Sequence, residues 1–298
     1  MPANPIKDQF LSTLRVAMEQ NGVEGAPEEK AKEYANANRY KNMVSARSGN
    51  NIRFTDNTPL SENYGDALSK VIRFYQDEFN MTPHTDVVSD LNDLSYSTEG
   101  ITWLGDRDGE GQRLVNFRNL RKEDELRAAR DAKRSTAEGW SVKNSGDIKH
   151  VPVHEFGHVI ADMLFPSNDS KRNESIQKLY VDALKDAGFS VSKGGDLNKQ
   201  AYDIVKNMSE YAASTGEYYP LPPSKNNEYG AADGHEVIAE ALSDYYYNRG
   251  NAADISKAIV KRLKNHGAMY GLTKAGGVDT SGNSKKFVNN LRRYSVIQ

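Results

Sequence analysis

The chain has no cysteine among its 298 residues. That excludes disulfides, thiolate metal sites and any inhibitory propeptide that works through a cysteine ligand, and it leaves the redox compartment open. Nor is any apolar run long enough to cross a bilayer. The start, Met1-Pro2-Ala3-Asn4-Pro5, leads into an amphipathic helix and not into the apolar core of a signal peptide. The expected location is the cytoplasm, a virion, or the outside of a cell reached by a non-Sec route. A dominant charge is missing as well, since 39 Lys and Arg stand against 41 Asp and Glu for a net charge of −2. Such a balance gives no global attraction to nucleic acid or to an anionic membrane, and neither is expected as a partner. No internal repeat is visible. What remains, at 37% hydrophobic and 27% charged residues, is a polar globular chain with modest cores, long enough for two domains.

Against this background stands His154-Glu155-Phe156-Gly157-His158, the H-E-x-x-H pattern of zinc hydrolases. On a helix, residues four apart lie one above the other, so both imidazoles reach one cation while Glu155 projects beside them towards a water on it. The flanking sequence predicts that helix. Asp147 is placed to cap a helix from about Ile148, Pro152 falls in its first turn, and Pro166 stops it after Phe165. Phe156, Val159, Ile160, Met163 and Leu164 trace a buried stripe, with His154, Glu155 and His158 on the opposite, polar side. An ordinary surface helix has no reason to gather this particular set there, so the pattern points to a metallopeptidase.

A zinc site needs a third protein ligand. The extended H-E-x-x-H-x-x-G-x-x-H pattern fails, because Ala161 and Leu164 occupy its glycine and histidine positions. Downstream, the choice lies between His235, His266 and a carboxylate from a second helix. The segment from Gly234 to Tyr245 predicts that helix. Ile238, Ala241, Leu242 and Tyr245 form its apolar stripe, while Glu236, Glu240, Ser243 and Tyr247 share the other face.

With these residues the chain resembles the gluzincin metallopeptidases, whose third ligand is a glutamate on such a helix. It is similar to the catalytic domain of anthrax lethal factor in HEFGH and in the Glu-x-x-Ala-Glu-Ala string at Glu236 to Ala241. It also looks like the peptidase domains of bacteriophage minor head proteins, with Ser209-Glu210-Tyr211-Ala212 as their Ser-x-Tyr-Ala string. The resemblance covers roughly the second half of the chain. It implies a zinc-dependent endopeptidase acting on protein or peptide, with Zn2+ as cofactor, His154, His158 and Glu236 as ligands, and Glu155 as general base. Glu240 would orient a ligand histidine. A competing register reads Glu240-Ala241-Leu242-Ser243-Asp244 as the thermolysin-type string, with Glu240 as ligand and Asp244 as its helper. The tyrosine that would share the oxyanion charge has two candidates, Tyr211 in the Ser-x-Tyr-Ala string and Tyr229 ahead of Glu236. The other function class is a virion or assembly protein that carries this domain with catalysis secondary or lost.

The expected fold is α+β, a mostly helical zincin-like domain with a small sheet, preceded by a helical N-terminal region. The expected divisions are 1–54 for that region and its linker, 55–266 for the peptidase domain, and 267–298 for a C-terminal tail. Ile6, Phe10, Leu14 and Met18 predict a first helix, Pro27 begins a second, and the asparagine-rich Asn36 to Asn51 reads as a fraying end and linker. The N-terminal helices are the expected contact for any virion or other protein assembly. Ala67, Leu68, Val71, Ile72, Tyr75 and Phe79 predict a firm helix, and Ile101-Thr102-Trp103-Leu104 with Leu114-Val115-Asn116-Phe117 a hairpin whose edge would hold substrate. Its turn, Asp106 to Gly111, lacks the full series of a calcium loop and reads as solvated. Further helices are expected around Ile176 to Ala187, Tyr202 to Tyr211 and Ile255 to Leu263. Lys285, Lys286, Arg292 and Arg293 read as a solvated end and not a nucleic-acid site.

Overall fold

The computed structural model describes residues 9, 11–13, 15–16, 18, 26–54, 58–89, 99–104, 113–118, 120–165, 172–189, 207–210, 212 and 235–269. Helix α1, Pro27–Arg47, starts on a proline whose missing N–H is harmless in a first turn, with Glu28 and Glu29 at its positive end. It runs through most of the asparagine-rich stretch expected to fray. The cause of the difference is packing: Val44 is fully buried and Lys41 nearly so, and contact with the next helix outweighs the weak propensity of asparagine.

Strand β1, Ile52–Phe54, leads into helix α2, Glu62–Phe79. Ser61 caps α2 by accepting the Tyr64 N–H, and Asn80 ends it in the left-handed conformation. All six predicted apolar positions of α2 are buried. Strands β2, Thr85–Val88, β3, Gly100–Trp103, and β4, Leu114–Phe117, complete one sheet in the order β1-β2-β4-β3. β1 and β2 are parallel, which requires the crossover that α2 provides, and β2 is parallel to β4. The predicted hairpin is β3 against β4, antiparallel, with Thr102 opposite Val115. β3 is thereby an edge strand.

Among the described residues, five further helices cover the sheet and one another: α3, Glu125–Ala137; α4, His150–Leu164; α5, Arg172–Asp186; α6, His235–Asn248; and α7, Asp254–Met269. One hydrophobic cluster joins Val44 of α1 to α2, the sheet and helices α4 to α7. The architecture is α+β and mostly helical with a small four-stranded sheet, as the periodicities predict. α7 continues past Leu263 into the first residues expected as tail. The Asp106 to Gly111 turn and the four tail cations lie outside the described residues. No helix among the described residues is long and apolar enough to cross a membrane.

Candidate metal centre

Helix α4 begins at His150, two residues later than predicted, and Asp147 is not its N-cap. The Asp147 carboxylate instead accepts the Lys149 N–H at 2.9 Å and the Tyr247 hydroxyl at 2.7 Å. This Asx-type turn sets the entry of α4 and ties it to α6. Pro152 sits in the first turn, as expected, and the Phe165 N–H closes the other end on the Ala161 carbonyl. The predicted stripe is buried at Phe156, Val159, Ile160 and Leu164, with Met163 partly so. The polar side is buried too, with His154, Glu155 and His158 at 8%, 6% and 7% exposure. α6 covers that side.

The two helices approach closely because Gly157 has no side chain. A Cβ there would stand 3.1 Å from the Ala239 Cα. Ala239 and Gly157 thus bring the backbones together and the polar residues face to face. His154 Nε2 lies 3.1 Å from His158 Nε2 and 3.1 Å from Glu236 Oε2, and His158 Nε2 lies 3.3 Å from Glu236 Oε1. The donor atoms of these three residues all fall within 4.8 Å of one another.

Glu240, one turn along α6, accepts from His154 Nδ1 at 2.8 Å. Its other oxygen accepts the Ser209 hydroxyl at 2.5 Å, and Ser209 Oγ in turn accepts the Ala212 N–H at 2.9 Å. Serine and alanine of the Ser-x-Tyr-Ala string therefore position the carboxylate that orients His154. Asp244 does other work, accepting from Asn248 Nδ2 at 2.7 Å and the Ala253 N–H at 2.8 Å, which fixes the turn between α6 and α7. That leaves the thermolysin-type register without its helper. His266 is remote from the cluster, bonded to the Leu164 carbonyl and stacked on Phe165. Tyr211, Tyr229 and the side chain of His235 lie outside the described residues.

No protein-family model, curated protein or solved structure matches the chain.

The electrostatics of the cluster follow from its burial. Desolvation opposes charge on His154, yet the hydrogen bonds and charges of Glu236 and Glu240 outweigh it and hold the imidazole pKa well above its usual range. Glu236 is the counterpart. Burial would raise its pKa, but the nearby His158 and His154 drive it far below the usual carboxylate range. The pocket is thus built for positive charge facing Glu236.

Two residues that periodicity does not single out complete the surroundings. Thr102, on edge strand β3, donates its hydroxyl to Glu155 Oε2 at 2.6 Å. Gly100 lets β3 cross α4, since a Cβ there would meet Val151 Cγ1 at 2.6 Å and Glu155 Oε1 at 2.9 Å. A glycine inside a strand is a sequence signal for such close approach. Nothing local marks Thr102, because its role depends on which helix the strand crosses.

Proposed function

We propose that the protein is a zinc-dependent endopeptidase of gluzincin type, with a zincin-like domain. One observation carries this reading: two imidazole Nε2 atoms and the Glu236 carboxylate converge, on helices that also bring in Glu155 and Glu240. The residues fit a zinc ion. Glu236 and Glu240 favour positive charge at His154, and a cation that displaced the Nε2 proton would meet the lone pair of that nitrogen while Nδ1–H still bonds Glu240. The three donor groups stand 3.1–3.3 Å apart. Tetrahedral ligands with bonds of about 2.0–2.1 Å stand roughly 3.3 Å apart. His154, His158 and Glu236 would be the ligands.

Zinc, when bound, supplies the Lewis acidity that makes water a nucleophile near neutral pH. Glu155 takes the water proton on its carboxylate and returns it to the leaving amine. Thr102 holds one oxygen of that carboxylate and leaves the other to work. Glu240, steadied by Ser209, keeps His154 in the tautomer that ligates. The free edge of β3 is suited to an extended peptide, whose backbone would pair with the strand beside Glu155. No observation favours the assembly reading, in which hydrolysis is lost, over this one.

Elemental analysis of purified protein tests the proposal together with cleavage of a peptide library with and without chelator. About one zinc per chain and chelator-sensitive hydrolysis are expected, with Glu155→Gln retaining metal and losing activity. A wild-type chain that binds no added zinc would sink the reading.

A further inference from the structure

A cavity of about 280 Å³ lies between α3, the first turn of α4 and the start of β3. Sites for whole small molecules span roughly 300–1,000 Å³, so this one is sized for a single long side chain. Its floor is apolar, formed by the buried Phe117, Leu120 and Ala132. Glu99, Asp131 and Glu138 line it as carboxylates, against one lining cation, Arg134, which lies 3.2 Å from Asp131. Asp147 also lines it but is already bonded to Lys149 and Tyr247.

Two groups of this lining, the Glu99 carboxylate and His150 Nδ1, have no hydrogen-bond partner among the described residues. Glu99 is half-buried, and its carboxylate makes no hydrogen bond or ion pair among the described residues. Burial pushes its pKa up, and the more distant charges of Arg118, Arg127 and Arg134 offset that only in part. The second group is His150. Its Nδ1 is buried and without a partner, while its Nε2 lies 3.0 Å from the Ser141 hydroxyl. Burial lowers the imidazole pKa to about 4, so the ring is neutral. With Nε2–H donating to Ser141, the Nδ1 lone pair is enclosed in the wall beside the cavity and adds no positive charge to it. A half-buried carboxylate above an apolar floor, with a neutral imidazole in the wall, suits a cation on an aliphatic stem. Trp140, 48% exposed, adds an aromatic face to the same lining.

The cavity is also beside the reaction centre. Val151 lines it and stands four residues, about 6 Å along the helix, before Glu155, where Gly100 of β3 crosses both. An extended peptide advances about 3.3 Å per residue, so a side chain entering here belongs to a residue within about two positions of the bond at Glu155. We propose that this cavity is a substrate subsite of the endopeptidase and takes a lysine or arginine side chain, with Glu99 as its charge partner. The inference builds on the peptidase reading and names its substrate class.

Cleavage of a peptide library followed by sequencing of products tests it. Wild-type protein should show lysine or arginine enriched at one position within two residues of the cut. Glu99→Gln should lower kcat/KM for those peptides about tenfold, mainly through KM, and change it less than about twofold for peptides with norleucine there. Glu99→Asp should recover part of the loss, and Glu99→Lys should shift the preference to glutamate or aspartate. A second arm needs no turnover: in Glu155→Gln protein, an arginine-containing peptide should change tryptophan emission, and Trp140→Phe should remove that signal. Cleavage without a basic preference, or a preference that Glu99→Gln leaves intact, overturns this inference alone. No zinc uptake and no cleavage by the wild type overturn the peptidase reading and this one with it.

Discussion

The Thr102 hydroxyl lies 2.6 Å from Glu155 Oε2, joining the edge strand to the glutamate of the H-E-x-x-H motif. The strand that would pair with substrate and the group that would move the proton are therefore fixed to each other. Thr102→Val removes the hydrogen bond with almost no change of shape. A bond to a charged partner is worth about 1.5–3 kcal/mol, so kcat should fall roughly 10- to 100-fold. Zinc content should stay unchanged, and Thr102→Ser should restore most of the rate. Full activity in the valine variant would show that Glu155 is held by other means.

Glu236 and Glu240 are one turn apart on α6 and face different atoms of one imidazole. Glu236→Gln should abolish tight zinc binding. Glu240→Gln should cost about 10- to 100-fold in metal affinity or activity, as is usual for a group that orients a ligand. Ser209→Ala should cost less than Glu240→Gln, because Ser209 acts on His154 through Glu240, to which its hydroxyl donates. Competition with a zinc chelator measures all three. A larger loss from Glu240→Gln than from Glu236→Gln would exchange the two roles.

Much of this site is legible in the sequence because helical spacing is rigid. A spacing of four from His154 to His158, and again from Glu236 to Glu240, fixes which side chains share a face before any tertiary contact is known. The β3–β4 hairpin is legible for the same kind of reason, as two short alternating runs near each other in the chain. Parallel pairing of β1, β2 and β4 is not, since strands of three or four residues joined by crossovers carry no local register signal. Periodicity also labels His154, Glu155 and His158 simply as a polar face. Whether such a face meets water or a second helix depends on Gly157 and Ala239, which lie 82 residues apart, as 239 − 157 gives. Asn-rich α1 shows the converse, where weak local propensity yields to burial of Val44.

Gly157 gives a stability prediction with two opposing effects. Alanine is favoured over glycine inside a helix by about 1 kcal/mol. Here its Cβ would press on the Ala239 Cα at 3.1 Å, and a backbone atom cannot swing aside. Overpacking of this kind costs about 1–3 kcal/mol, so the clash should win. Gly157→Ala is expected to lower the unfolding midpoint and to weaken zinc binding together, because α4 and α6 carry the two halves of the proposed ligand set. A variant that gains stability and keeps its zinc affinity would mean that the helices can slide apart without disturbing the site.

Glu78 links α2 to the far end of α6 and to α7. Its carboxylate accepts from Arg249 at 2.5 Å and pairs with Lys264, and the Arg249 guanidinium also lies over the Phe74 ring at 4.9 Å. Burial alone would raise the Glu78 pKa, but Lys264 and Arg249 together outweigh it and bring the value below its ordinary 4.5. A carboxyl whose pKa is lower in the folded than in the unfolded chain binds protons more readily when unfolded. Its contribution is thus fully present above pH 4.5 and is lost as pH falls through the lower, folded value. Glu78→Gln should therefore destabilise the protein at neutral pH by no more than about 1 kcal/mol, as for partly solvated pairs, and high salt should shrink the difference. As pH falls below 4.5 the unfolding midpoints of the two proteins should draw together. Midpoints measured from pH 7 down to pH 3 decide the matter, and a constant gap across that range would show that the glutamine acts through packing and not through lost charge.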